Sequence, residues 1–193
     1  MRIHRLLVLM PRPRMNLLIG CLLLGLTAQA TSAEGGMTAE QDAEMTRTMN
    51  VLAEEAMQIG LRAISESGAV YPFALLSRGG ESRQLMSFQG EREEAPSPDE
   101  WTATLFQRLA HLAKDDGGVQ SVAVVRLHEV VSQEGETVHG LWTHVEQRGA
   151  QPWVVFLPFL RNEAGRHDMG ELVYHASAQH IFPQAVGAEQ QGR

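Results

Sequence analysis

Cysteine and lysine are almost absent from this chain: Cys21 and Lys114 are the only examples in 193 residues. One cysteine cannot close an intrachain disulfide, and cysteine-ligated zinc or iron–sulfur centres, which need several thiolates, are excluded with it. Positive charge is also scarce, with 16 Lys and Arg against 23 Asp and Glu and a net charge of −7. A surface of that sign repels phosphate backbones, so nucleic acid is not expected as a partner. The common catalytic patterns are missing too. No G-x-S-x-G elbow presents a serine to a base and an oxyanion hole, and Ser77 and Ser82 flank a turn instead. No H-E-x-x-H places two histidines one helical turn apart for zinc. Gly79-Gly80 and Gly117-Gly118 lack the spacing of a phosphate or dinucleotide loop and read as turns. The acidic run Glu91, Glu93, Glu94, Asp99 and Glu100 lacks the calcium-loop pattern and reads as a solvated loop entering a helix cap. No cofactor is expected.

The N-terminus is the most informative segment. Arg2, Arg5, Arg12 and Arg14 precede any acid, Leu17 to Leu26 form an apolar run, and Ala28-Gln29-Ala30 and Thr31-Ser32-Ala33 supply small residues. Basic start, apolar middle and small-residue cleavage site make residues 1–33 a secretory signal peptide. The apolar run is too short to cross hydrocarbon as a helix, which takes about 20 residues. No permanent membrane span is expected after cleavage. Met15 offers an alternative start just before the run. Leu18-Ile19-Gly20-Cys21 resembles a lipobox, which would lipidate Cys21 and anchor the protein, but Leu22-Leu23-Leu24 continue the apolar run past it. Removal of the leader leaves 12 basic against 23 acidic residues, all four lost charges being arginines. The expected location is periplasmic or secreted.

The remainder, residues 34–183, reads as one α+β domain, followed by a small, polar tail at 184–193 expected to be disordered. Thr38 to Glu66 forms a helix: Thr38 and Gln41 fit a capping box, Met45, Met49, Leu52, Ala56, Ile59 and Ala63 make one apolar stripe, and Ser67-Gly68 ends it. Met37 and Met57 fall off that stripe. Two strands, 70–77 and 83–89, flank Arg78-Gly79-Gly80-Glu81. Symmetric pairing about that turn sets Tyr71 opposite Phe88 and Phe73 opposite Met86 on one core face. Pro72 donates no ladder hydrogen bond, so the first strand lies at an edge or starts late. Ser97-Pro98-Asp99-Glu100 begins a second helix, with Trp101, Leu105, Phe106, Leu109, Leu112 and Ala113 on its apolar side. Strands 119–131, 137–147 and 152–160 follow, and Met169 to His175 suggests one more.

Turn symmetry pairs Leu127 with Leu141 and Ala123 with Val145, and then brings Leu157 and Trp153 to the same helix-covered face. The opposite face holds Val122, Val124, Val130, Val138, Trp142, Val154 and Phe156, with Arg126 opposite Trp142 for a cation–π contact. A sheet apolar on both sides needs both covered, by the two helices or by another subunit. The order α-β-β-α-β-β-β, with two main helices and a five- or six-stranded antiparallel sheet, resembles the profilin-like and roadblock-like arrangement. Tyr71-Pro72-Phe73 and Phe156-Leu157-Pro158-Phe159 resemble a small uncharacterised bacterial family. There a "PF" strand opens the sheet and an "FLPY"-like strand follows the long hairpin. Phe159 stands where tyrosine is expected, and these apolar motifs mark core rather than activity.

Six histidines cluster after the second helix: His128, His139, His144, His167, His175 and His180. The strand register puts His139 beside Glu129 on one face and His128 and His144 on the other, so they do not converge and no bound metal is expected. The expected function is non-catalytic: an exported domain that binds a protein partner or itself. The face carrying Arg126, Trp142, His144, Val154 and Phe156 is the candidate interaction or pocket surface. The alternative is a small-molecule sensing or carrier domain of the bacterial envelope, with an enzyme of unknown class third. N-terminal sequencing of protein recovered from the envelope is expected to begin between residues 29 and 34. An intact Met1 or Met15 in soluble cytoplasmic protein would contradict export.

Overall fold

The computed structural model describes residues 38–80, 82–131, 135–161 and 167–184. The proposed leader with Cys21, residues 162–166 and residues 185–193 lie outside them. Helix α1, Ala39–Ser67, begins with the expected capping box: Gln41 N–H donates to Thr38 Oγ1 at 3.2 Å and Thr38 N–H to Gln41 Oε1 at 2.9 Å. It ends at Gly68, whose φ of 76° is the left-handed conformation that glycine adopts without a Cβ penalty. Met49, Leu52 and Ala56 are buried as the stripe requires, and so are Ala53, Met57 and Gly60. Met57 therefore belongs to the core. A helix laid on a sheet buries an arc wider than a single row.

Strands β1 (Phe73–Ser77) and β2 (Arg83–Met86) pair with Ala74 opposite Met86 and Ser77 opposite Arg83. This is one residue away from the symmetric register. Residues 78–82 form an odd-numbered connection, with Gly79 and Gly80 both at positive φ. A slip of one residue exchanges faces. Phe73 therefore packs under α1, while Met86 lies on the other side. Tyr71 and Phe88 still meet, with ring centroids 6.0 Å apart. Pro72 precedes β1, so the strand starts late. It is not at an edge, because β1 lies between β2 and β3.

Helix α2, Pro98–Asp115, carries a second capping box on Ser97 and Glu100. Strands β3 (Ser121–Val131), β4 (Thr137–Gln147) and β5 (Trp153–Arg161) form the long meander. Their register is as expected: Leu127 faces Leu141, Ala123 faces Val145, and Leu141 faces Leu157. The last strand is split into β6 (His167–Met169) and β7 (Val173–Ala176), both pairing with β5. Met169 faces Phe159 and Val173 faces Phe156, so three residues, Gly170 to Leu172, oppose two of β5. That surplus is a β-bulge, and it breaks the strand. The sheet order is β2-β1-β3-β4-β5, with β6 and β7 beyond, all antiparallel.

The helices take opposite faces. Under α1 lie Phe73, Leu75, Ala123, Val125, Leu141 and Val145. Under α2 lie Ala74, Leu76, Val122 and Val124, together with Ile181 and Phe182 of the C-terminal segment. Leu127, expected to be buried with Leu141 and Leu157, is instead 40% exposed. It lies beside Ile64 and Gly68, where α1 ends and the chain turns away. Leu141 is fully buried, so Leu141→Ala is expected to cost about 2–5 kcal/mol. Leu127→Ala should stay within about 0.5 kcal/mol. Denaturant unfolding of the two variants measures the difference.

Candidate functional site

Helix α2 covers only part of its face. Its side chain Phe106 reaches as far as β4, with its ring 6.4 Å from Trp142 and 5.1 Å from His144. Beyond that point the sheet surface formed by β3, β4, β5 and β7 opens into an apolar groove of about 690 Å³. Trp142, Val154, Phe156, Pro158 and Val173 line it, with His128 and His175 at its polar points.

Gly140 shapes the floor. A Cβ there would lie 2.4 Å from the Leu157 carbonyl oxygen and 2.5 Å from the Phe156 ring. The missing side chain lets Phe156 lie against β4. Its ring then meets His128 edge to face, with centroids 6.4 Å apart at 87°. Burial, followed by the nearby Arg126 charge, holds His128 below the ordinary histidine pKa, and Asp99 and Glu129 only partly oppose this. Its neutral form is thereby favoured, which keeps this wall of the groove weakly polar.

The five expected face residues separate into three roles. Trp142, Val154 and Phe156 line the groove. Arg126 does not. Its guanidinium stacks on Trp142 at 5.1 Å and donates to Asp99 Oδ1 at 2.7 Å, tying the first turn of α2 to β3. His144 is fully buried beneath, its ring stacked 5.9 Å from Trp142. His139 pairs with Glu129 at 3.1 Å on the other face, as the register implied.

A buried polar cluster adjoins the groove. Glu146 is fully buried on β4. Its carboxylate accepts the N–H of Ile181 at 2.5 Å and that of Phe182 at 3.3 Å, and Nδ1 of His180 lies 3.1 Å away. Arg148, two residues on, donates to Ala113 O at 2.7 Å and Val119 O at 3.1 Å and lies 4.8 Å over the Phe182 ring. Neither ring nitrogen of His144 has a hydrogen-bond partner, and Nε2 lies 3.8 Å from Glu146 Oε2. Glu146 and Arg148 were missed from the sequence. Their signal was slight: an acid near the end of a strand whose neighbours there are core, and a base in the turn just beyond it.

Among the described residues no group of three His, Cys, Asp or Glu side chains is placed to hold a metal ion, and no helix is long and apolar enough to cross a membrane. Comparison with family models, with curated proteins and with solved structures returned no match. Gly140→Ala is expected to push Phe156 out of its seat and cost about 1–3 kcal/mol, as overpacking does. Thermal unfolding, with ring contacts of His128 followed by NMR, checks this.

Proposed function

We propose that this chain is an exported, non-catalytic binding domain, and that the open groove beside β7 receives an extended, apolar segment of a protein partner. The observation that carries the reading is the groove itself: an apolar sheet surface left uncovered by α2, with two separated histidines as its polar groups. Contiguous apolar surface of this kind marks interaction sites more often than solvent-facing sheet. A small-molecule carrier would be favoured by an enclosed pocket that included Arg126. The groove is open and Arg126 is engaged elsewhere. An enzyme would need polar groups converging on a reacting atom.

The neighbouring edge supports an extended partner. Among the described residues β7 pairs only with β5. Ser177 N–H points inward to Pro152 O at 3.0 Å. Backbone alternation then turns the N–H groups of Ala176 and Tyr174 outward. A strand added there would gain main-chain hydrogen bonds and drop alternate side chains into the groove beside Val173 and His175. A photo-crosslinker at His175, installed in envelope-localised protein, should give one discrete adduct, and Val173→Glu should abolish it without unfolding the domain. Val173 is 42% exposed, so that change should cost no more than about 0.5 kcal/mol. A self-adduct would identify a second copy as the partner. Diffuse labelling, or an adduct indifferent to Val173→Glu, would overturn the reading.

A further inference from the structure

The C-terminal segment Ser177–Gln184 crosses the α2 side of the sheet as a strap without regular secondary structure. Ser177 N–H bonds Pro152 O, Gln151 Nε2 bonds Ser177 O at 2.8 Å, and Ile181 and Phe182 are buried in the α2 core. Its deepest polar attachment is Glu146. A carboxylate offers about four acceptor directions. Here the strap takes two, through Ile181 N–H and Phe182 N–H, and His180 Nδ1 lies 3.1 Å from Oε1, a donor there only when that nitrogen carries the proton. On the remaining side, 3.8 Å from Oε2, stands Nε2 of His144, a ring with both nitrogens unpartnered in a fully buried site. A phenylalanine would fill that space between Phe106 and Trp142 without stranding two polar atoms. The imidazole brings one property that phenylalanine lacks: it takes up a proton between about pH 5 and 8.

We propose that His144, Glu146 and His180 form a proton-operated latch on the strap. A proton on either ring holds the strap harder, and its loss loosens it. With both rings neutral, the buried carboxylate is answered by neutral donors alone. A proton on Nε2 of His144 or Nδ1 of His180 converts the contact into a hydrogen-bonded ion pair, and a buried charge is far better tolerated paired than unpaired. The strap therefore tightens as pH falls through the histidine range and loosens as pH rises through it.

The other groups facing the cluster hold their charge or lie in solvent. From the turn after β4, Arg148 lies over the Phe182 ring and is bonded to Ala113 O and Val119 O. From β3, Arg126 lies over the Trp142 ring, on which His144 also stacks. From β7, His175 shares the rung of His144 through Val154 and is exposed. From α2, the facing side chain is Phe106. Within the strap, Gln184 Nε2 lies 2.6 Å from His180 Nδ1.

The test is amide hydrogen exchange at Ile181 and Phe182 in the purified chain, corrected for intrinsic exchange rates, across the histidine range. Protection is expected to fall about tenfold as pH rises from the acid to the alkaline end of that range. The β4 amides serve as a constant reference. Glu146→Gln and the double variant His144→Phe with His180→Gln should each flatten the profile. A flat or reversed profile in the unmodified chain overturns the latch, and so does a slope that survives the double variant. Should His144→Phe not fold, His180→Gln alone must at least halve the slope, and an unchanged slope overturns the proposal.

Discussion

The middle strands of this sheet are apolar on both sides, and neither face can be left to water. Val122 and Val124 point one way along β3 and Ala123 and Val125 the other, and all four are fully buried. This forces a helix onto each face. The helices are unequal: α1 has 29 residues and α2 has 18. At 1.5 Å per residue these are about 43 and 27 Å long, against β3 and β4 of 11 residues each. α1 lies under β1, β3 and β4 and ends beside Leu127 of β3. α2 covers β1 and the first half of β3 and reaches β4 only through Phe106. The groove is the uncovered remainder of that face, a consequence of helix length as much as of local composition.

The C-terminal strap completes the cover on the α2 side, and charged residues hold it there. A helix leaves its last carbonyls without intrahelical partners, with partial negative charge gathered at that end. Arg148 answers this by donating to Ala113 O near the end of α2, while its flat guanidinium lies on Phe182. Glu146 does the complementary task, accepting backbone N–H groups of a segment that has no helix or strand to satisfy them. Acid and base therefore each serve the backbone rather than each other. Their value is geometric: Glu146 fixes where the strap crosses the sheet, and Arg148 fixes the end of α2 against it.

Local signals in the sequence located most elements because the physics involved is local. Both helix starts are capping boxes written within four residues, and the β3–β4–β5 register follows from turns whose symmetric placement was correct. The β1–β2 register was misread by one because the connection spans an odd number of residues, which Gly-Gly alone does not reveal. Leu127 was misplaced for a tertiary reason, the end of α1 beside it. Of the candidate face, Trp142, Val154 and Phe156 were legible through strand alternation. Alternation sorts residues by face, however, and cannot say how far a helix extends over that face. That is why His144 proved to be core and Arg126 a strut. Glu146 was overlooked because a carboxylate in a strand reads as solvent-facing until the segment that binds it, 34 to 36 residues later, is folded back.

Trp142 is the point where these parts meet. Its indole carries the Arg126 guanidinium, which is bonded to Asp99 at the start of α2. The same ring stacks on His144, next to the carboxylate that holds the strap. This side chain also lines the groove. Guanidinium and imidazole both contact this one ring, which links the first turn of α2 to the residues beside the strap. Any occupant that shifts Trp142 must also disturb both contacts. Groove and strap therefore share a side chain, which is a physical route for coupling between them.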